Sequence, residues 1–423
     1  MKKHLNFVVL VLAAATLAGC NNTGSSSGDS AASTTLKAGL ITLHDENSTY
    51  DKNFIDAFKA ACAKKGVTPV IQTGVPEGNE CYTQAADMAD HGCNFVFADS
   101  FGHEDHMIRA AREFPNVQFS HASGQKAHTL KLANFHNAFA SIYEGRYLAG
   151  VAAGLKLQAM IEAKPETSTN IGYVGAYPFA EVISGYTSFY LGVRSVVKKA
   201  TMTVTFTNEW YDETKEKTSA ENLIENYHCS IISQHADSWG APTVCENATV
   251  PNVTYNGSTE SKCPKTYLIS SRINWEPYFE HCFDQLANKG TIETDYTGEL
   301  GSTLYDGSVA LTAPGKVAAV ANTEEKLNDV AAKLRAGTLH VFDTSSFTVS
   351  GDNVTSNVTV DAEGHVTSYK ADVDPDTANT ADTEVVEKDS NGKSYIAEST
   401  KRSAPYFQLH IDGITRIDNT KQN

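Results

Sequence analysis

The chain has 423 residues, 41% of them hydrophobic, which is enough for two or three domains with sizeable cores and excludes a short, fibrous or disordered protein. With 34 Lys plus Arg against 50 Asp plus Glu, the net charge of −16 opposes broad attraction to nucleic acid or to anionic membrane surfaces. No nucleic-acid partner is expected, and no run beyond the N-terminus is apolar enough to enter a bilayer.

Met1-Lys2-Lys3 opens the chain with positive charge, and the stretch Leu5 to Ala15 is apolar apart from Asn6. Leu17-Ala18-Gly19-Cys20 follows, with a small residue at the scissile position and then a thiol that can carry a diacylglycerol thioether. Residues 1–20 therefore read as a bacterial lipoprotein signal peptide, with Cys20 as the lipidated residue and acyl chains as the membrane attachment. Residues 21–36, rich in Ser, Thr, Gly, Ala and Asn, read as a flexible tether. Seven more cysteines (Cys62, Cys81, Cys93, Cys229, Cys245, Cys263 and Cys282) would lie in a compartment where disulfides form. Their spacing fixes no pairing, and their odd number leaves at least one thiol free or paired between chains.

From Leu36 onward, β-rich runs alternate with helical ones, the pattern of a mostly parallel sheet wrapped by helices. Strands are expected at 38–43, 68–72, 95–98, 117–120, 170–174, 201–207 and 230–234. Helices are expected at 53–65, 81–91, 106–114, 141–160, 181–198 and 214–227. A polar break at Lys164 to Thr169 separates two α/β lobes. Two later helices, at 274–289 and 324–336, precede a short strand at 338–342. If these late segments return to the two lobes in turn, lobe 1 comprises 37–163 plus 268–310 and lobe 2 comprises 164–267 plus 311–349, with a hinge between them. Two independent domains in series are the alternative. Residues 350–423 read as an acidic extension, either an irregular appendage or a β-rich segment; Asp372 to Asp389 carries seven acidic residues against one lysine.

In open α/β sheets the ligand crevice lies beyond the carboxyl ends of the strands. Four such ends stand out: the loop His44 to Phe54, with Asp45 and Asp51; Asp99-Ser100-Phe101-Gly102; Gly175 to Phe179; and Gln234 to Trp239, with His235 and Asp237. Each joins an aromatic ring to hydrogen-bonding side chains, which suits a flat, polar, neutral ligand.

Asp51-Lys52-Asn53-Phe54, Tyr147-Leu148-Ala149-Gly150-Val151-Ala152-Ala153-Gly154, Ile171-Gly172-Tyr173-Val174 and Gln234-His235-Ala236-Asp237-Ser238 resemble the basic membrane protein family of ABC-transporter substrate-binding lipoproteins. The resemblance covers about residues 37–342 and implies a type I periplasmic-binding fold. It also implies purine nucleoside capture in a closing cleft and a permease partner. Asp45 and Phe54 match the family's base-binding acid and first stacking ring. Ser100-Phe101-Gly102, Tyr177-Pro178-Phe179, His235 with Asp237, and Asn274-Trp275 match a subgroup. Where purine nucleoside receptors carry a second stacking phenylalanine this chain has Gly185, so Phe101, Phe179, Trp239 or Trp275 would close the sandwich. The acid expected near the ribose falls at Asn256, and the family lysine falls close to Ile273, beside Arg272. A free nucleobase is therefore an alternative to a nucleoside. A sugar receptor and a surface adhesion lipoprotein on the same fold are further alternatives.

No enzyme, cofactor or metal is expected, and a monomer is. His103 and His106 lack the His-Glu-x-x-His spacing of a zinc helix and read as a solvated helix start. No Gly-x-x-x-x-Gly-Lys-Ser/Thr loop is present.

Overall fold

A computed structural model describes residues 35–374 and 381–417, so the expected signal peptide, Cys20 and nearly all of the tether lie outside the described residues. In chain order, the first half lays down β1 (Lys37–Ile41), α1 (Thr49–Lys65), β2 (Thr68–Gln72), α2 (Asn79–Asp90), β3 (Phe95–Ala98), α3 (Glu104–Glu113), β4 (Gln118–Ala122), α4 (Ala127–Leu130), β5 (Phe135–Ala140) and α5 (Ile142–Ala163). There follow β6 (Asn170–Gly175), α6 (Ala180–Val196), β7 (Thr201–Phe206), α7 (Glu213–Glu225), β8 (Ile232–His235), α8 (Gly240–Ala248), β9 (Asn252–Tyr255), β10 (Tyr267–Ile273), α9 (Glu276–Ala287), β11 (Asp295–Gly298), β12 (Val309–Leu311) and α10 (Thr323–Arg335).

Two sheets result. The first runs β11-β5-β4-β3-β1-β2 and is parallel throughout. The second begins β12-β10-β9-β8-β6-β7 and is parallel except where β12 meets β10. Helices cover both faces, and strands such as β3, buried at every residue, read as short apolar runs for that reason. Local sequence sets the helix ends that frame the cleft. Ser48 caps α1 by accepting from Asp51 N, and Gly66, at φ 66°, closes it in the left-handed region with Lys64 and Lys65 in the last turn.

The chain passes between the sheets after β5, after β10 and between β11 and β12, so the lobes share a multi-stranded hinge. Their boundary differs from the expected one in two places. β10 belongs to the second sheet, because Tyr267 to Ser271 register against Asn252 to Tyr255 of β9. α5 packs on α6 of the same lobe at unusually short range. A Cβ added at Gly150 would lie 2.1 Å from the Phe189 carbonyl oxygen, and one at Gly192 would lie 2.2 Å from that of Tyr147. The Tyr147 to Gly154 motif is thus a helix-contact motif. It welds the crossing helix to lobe 2 and leaves lobe 1 with β1–β5, α1–α4, α9 and β11.

The C-terminal segment is not an appendage. It supplies β13 (Val358–Val360), β14 (Val366–Ala371), β15 (Thr383–Glu384), β16 (Val386–Lys388), β17 (Ser394–Ile396) and β18 (Ile414–Ile417). β18 adds a parallel edge strand beside β7 of the second sheet. Tyr369, Tyr406 and Phe407 are buried in the same core as Tyr147 and Phe189, and Phe407 stacks on Phe342 at 4.2 Å. The strand expected at 338–342 is irregular backbone instead. Phe342 is drawn inward by rings from Tyr143 and Phe407 rather than by a ladder.

Candidate functional site

The carboxyl ends of both sheets face one another across a narrow cleft. Lobe 1 lines it with Leu43, His44, Tyr50, Asp51, Ser100, Phe101 and Ser123, and lobe 2 with Glu181, Trp210, His235 and Asp237. The lobes touch. Thr49 N donates to the Asp237 carbonyl at 3.1 Å, and His44 and Tyr211 bring their ring centroids to 5.4 Å. At the mouth, Phe101 of lobe 1 stacks on Phe179 of lobe 2 at 5.1 Å, and Phe179 stacks on Tyr177 at 5.1 Å with Trp210 edge-on to Tyr177. Phe179, 38% exposed, keeps part of its ring open to solvent.

The electrostatics of the cleft are dominated by acids. Asp51 accepts from His44 N at 2.7 Å and from Ser48 Oγ at 2.5 Å. Burial alone would raise its carboxyl, but these bonds and the nearby His44 ring hold it below the usual range. Asp99 is fully enclosed. Its Oδ1 accepts from Leu43 N at 3.2 Å while Oδ2 has no partner, and burial together with the charge of Asp51 pushes it well above the carboxylate range. Asp237 is pushed the same way by burial and then by Asp51, which faces it from the other lobe. On the lobe 2 side, Glu181 Oε1 lies 3.2 Å from His235 Nε2. The buried Arg146 guanidinium of α5 lies behind them, over the Tyr255 ring at 4.6 Å.

Of the residues expected from sequence, Asp51, Ser100, Phe101, His235 and Asp237 line this cleft, with Phe179 at its mouth. Others fall elsewhere. Asp45 is exposed and caps its own loop, accepting from Asn47 N and Nδ2 at 2.9 Å, while Leu43 and His44 take the inward positions. Phe54 is 0% exposed and stacks on Trp275 at 4.5 Å inside the lobe 1 core, so neither ring offers a face to a ligand. Trp239, Asn256, Arg272 and Asn274 line a second interlobe recess with Thr49, Lys52 and Asp56, beyond the Thr49–Asp237 contact. There Asn53 Nδ2 donates to the Ile273 carbonyl across the lobes at 2.5 Å, and Asn256 Nδ2 is buried without a partner. His103 is buried, with Nε2 3.0 Å from the Val75 carbonyl, which corrects the solvated reading of that helix start. All seven cysteines are free, buried thiols.

Sequence reasoning missed Glu181 and Trp210, together with Leu43 and Ser123, as lining residues. Trp210 follows a recognised strand, so the strand-end rule applied to a fifth end would have found it. Glu181, by contrast, reads as an ordinary first-turn acid favoured by the α6 dipole. Among the described residues no helix is long and apolar enough to cross a membrane.

Two α/β lobes, a shared hinge and an interlobe cleft at the strand ends define a type I periplasmic-binding fold. Solved structures with this architecture include an ABC-transporter solute-binding protein from Conexibacter woesei, at TM-score 0.60 and 18% identity, covering 72% of this chain and 98% of the other. Another comes from Aeropyrum pernix, also at TM-score 0.60, with 14% identity over 73% and 93% of the two chains. The profile of the PnrA-like ABC transporter substrate-binding proteins, the Bmp family, matches residues 40–337, and the chain belongs to that family. A purine-binding protein of Brucella abortus is 33% identical over 205 residues, 48% of this chain and 55% of that one. A Haloferax volcanii protein named as an ABC transporter glucose-binding protein is 32% identical over 200 residues, 47% of each chain. The matched region thus spans about half the length of these two relatives. The family match ends before β13–β18 begin.

Proposed function

We propose that the protein is an exported, Cys20-anchored receptor that captures a purine base or nucleoside in the interlobe cleft and delivers it to the permease of an ABC importer. The observation that carries this reading is the composition of the cleft. Stacked rings from both lobes flank a floor of carboxylates, an arrangement that accepts the flat face and the N–H edge of a heterocycle together. The purine-binding relative supports the ligand class. The neighbouring recess, with Arg272, Asn256 and Asn274, is the place for a ribose to extend once Thr49 and Asp237 separate. Capture needs no covalent step: ligand contacts to both lobes supply the differential affinity that favours closure.

A hexose is the competing ligand, favoured by the name of the Haloferax relative and by the single tryptophan, Trp210, at the cleft. Isothermal titration of the purified protein with adenine, hypoxanthine, guanosine and glucose decides between them. Binding of a purine with no glucose signal is expected; saturable glucose binding without a purine signal would overturn the reading.

A further inference from the structure

Behind the lobe 2 wall runs a chain of polar side chains that reaches the cleft at its last two members, His235 and Glu181. Arg146, fully buried in α5, directs Nη2 to Tyr173 Oη and to the Gln234 carbonyl, the latter at 2.9 Å. Tyr173 Oη is 3.4 Å from His235 Nδ1, and His235 Nε2 is 3.2 Å from Glu181 Oε1. Each member has one way to point. A guanidinium only donates, so the Tyr173 oxygen accepts from Arg146 and its single proton is left for His235 Nδ1. That nitrogen must then be bare, which puts the imidazole proton on Nε2, where it is donated to Glu181.

Burial holds His235 below its ordinary range against the opposing hydrogen bond and charge of Glu181, and the charge of Arg146 adds to the lowering. Gly185 makes the arrangement possible. A Cβ there would sit 3.0 Å from His235 Nδ1 and 3.6 Å from Arg146 Nε. The position at which sequence alignment finds a lost stacking ring is therefore the space this relay occupies.

Resting on the purine reading of the cleft, we infer that the Arg146–Tyr173–His235 relay fixes Glu181 as a hydrogen-bond acceptor toward the ligand, so that the receptor selects bases presenting an exocyclic amino group over those presenting a carbonyl at the same place. Glu181 and Asp237 touch the ligand; Arg146 and Tyr173 are positioning residues.

The relay makes an unusual demand on the Glu181→Gln variant. Because His235 still donates from Nε2, the Gln carbonyl must turn to His235 and its NH₂ toward the cleft, reversing the polarity seen by the ligand. Titrating the full chain with adenine and hypoxanthine, the wild type is expected to prefer adenine by about tenfold or more, the scale of a hydrogen bond to a charged group. Glu181→Gln is expected to invert the order. Tyr173→Phe, which keeps the ring and removes only the hydroxyl, is expected to narrow the wild-type preference. ¹⁵N NMR of histidine-labelled protein, with the His235 signals assigned by their loss in His235→Gln, should show the Nε2–H tautomer in the wild type and a mixture in Tyr173→Phe. An unchanged adenine-to-hypoxanthine ratio in Glu181→Gln would overturn the assignment of Glu181, and an Nδ1–H or doubly protonated His235 would overturn the relay. Failure of the wild type to bind any purine would sink the purine reading and this selectivity with it. The tautomer measurement would then decide the relay alone.

Discussion

Replacing Phe54 by alanine separates a ligand ring from a core ring, because the two roles move different observables. The side chain is 0% exposed and its ring meets Trp275 at 4.5 Å, Tyr50 at 4.9 Å and Phe97 at 5.6 Å. Truncation removes the whole ring from a site walled by other aromatics, which have little freedom to collapse into the space. Such changes cost about 3–5 kcal/mol of stability. Each lost ring pair contributes roughly 0.5–1.5 kcal/mol beyond its area. The cleft-lining residues Tyr50 and Asp51 lie on the preceding turn of the same helix and keep their backbone, so ligand affinity of the folded protein should stay within about twofold, under ~0.4 kcal/mol. Urea unfolding gives the first quantity and calorimetric titration below the unfolding midpoint the second. A variant that unfolds at the wild-type midpoint but no longer binds ligand would refute the placement of Phe54 in the core.

Three further outcomes are expected. Gly150→Ala places a methyl 2.1 Å from the Phe189 carbonyl oxygen, so α5 and α6 must part; a loss of about 1–3 kcal/mol or more is expected from thermal or urea unfolding, and a neutral result would contradict the helix contact. A chain stopped after Val349 loses Tyr369, Tyr406, Phe407 and the β18 edge strand; it should fail to give a cooperative transition in calorimetry, whereas a soluble, cooperatively folding truncation would show that the segment is dispensable. Asp99 and Asp237 are both raised by the burial and like charges of the closed cleft, so the closed state binds more protons than an open one. Acidification should therefore favour closure of the unliganded protein, and rising pH through the closed-state range should oppose it. Interlobe fluorescence energy transfer between dyes on α2 and α7, compared at about pH 8 and about pH 5, should report the shorter distance at the lower pH, and the opposite trend would reverse the argument.

The parts legible in sequence are those where local pattern and tertiary role coincide. β2 and β3 fall on the residues expected because each is a short apolar or β-branched run between turn signals. α8 escapes the pattern, since Gly240-Ala241-Pro242 at its start reads as a turn. β11 and β12 escape it because they are only four and three residues long, and β10, at seven residues, because Ser270, Ser271 and Arg272 interrupt its apolar run. The error at Phe54 has a geometric origin. Tyr50 and Phe54 stand four residues apart on α1, just over one turn or about 6 Å along the axis, and that short step carries a side chain from the cleft wall into the core. A match of residue types to a family pattern cannot report that depth. Nor can it report that the space at Gly185 is filled by His235, a residue fifty positions away in the chain.

Under the proposed reading of the protein as a ligand-capturing receptor, the distribution of acids couples binding to closure. Asp51 and Asp99 belong to lobe 1, Glu181 and Asp237 to lobe 2, and in the closed arrangement Asp51 raises Asp237 across the gap. An empty closed cleft thus confronts like charges in a low-dielectric space, while the buried Arg146 donates to Tyr173 and the Gln234 carbonyl. Three ways of relieving that repulsion exist: protonation, opening, or a ligand whose N–H groups point at the carboxylates. Only the last keeps the lobes together at neutral pH without charge loss, and its benefit is realised only when both lobes engage it. A ligand edge that satisfies one lobe binds but does not close the receptor, so discrimination between bases should show in the closed population before it shows in affinity.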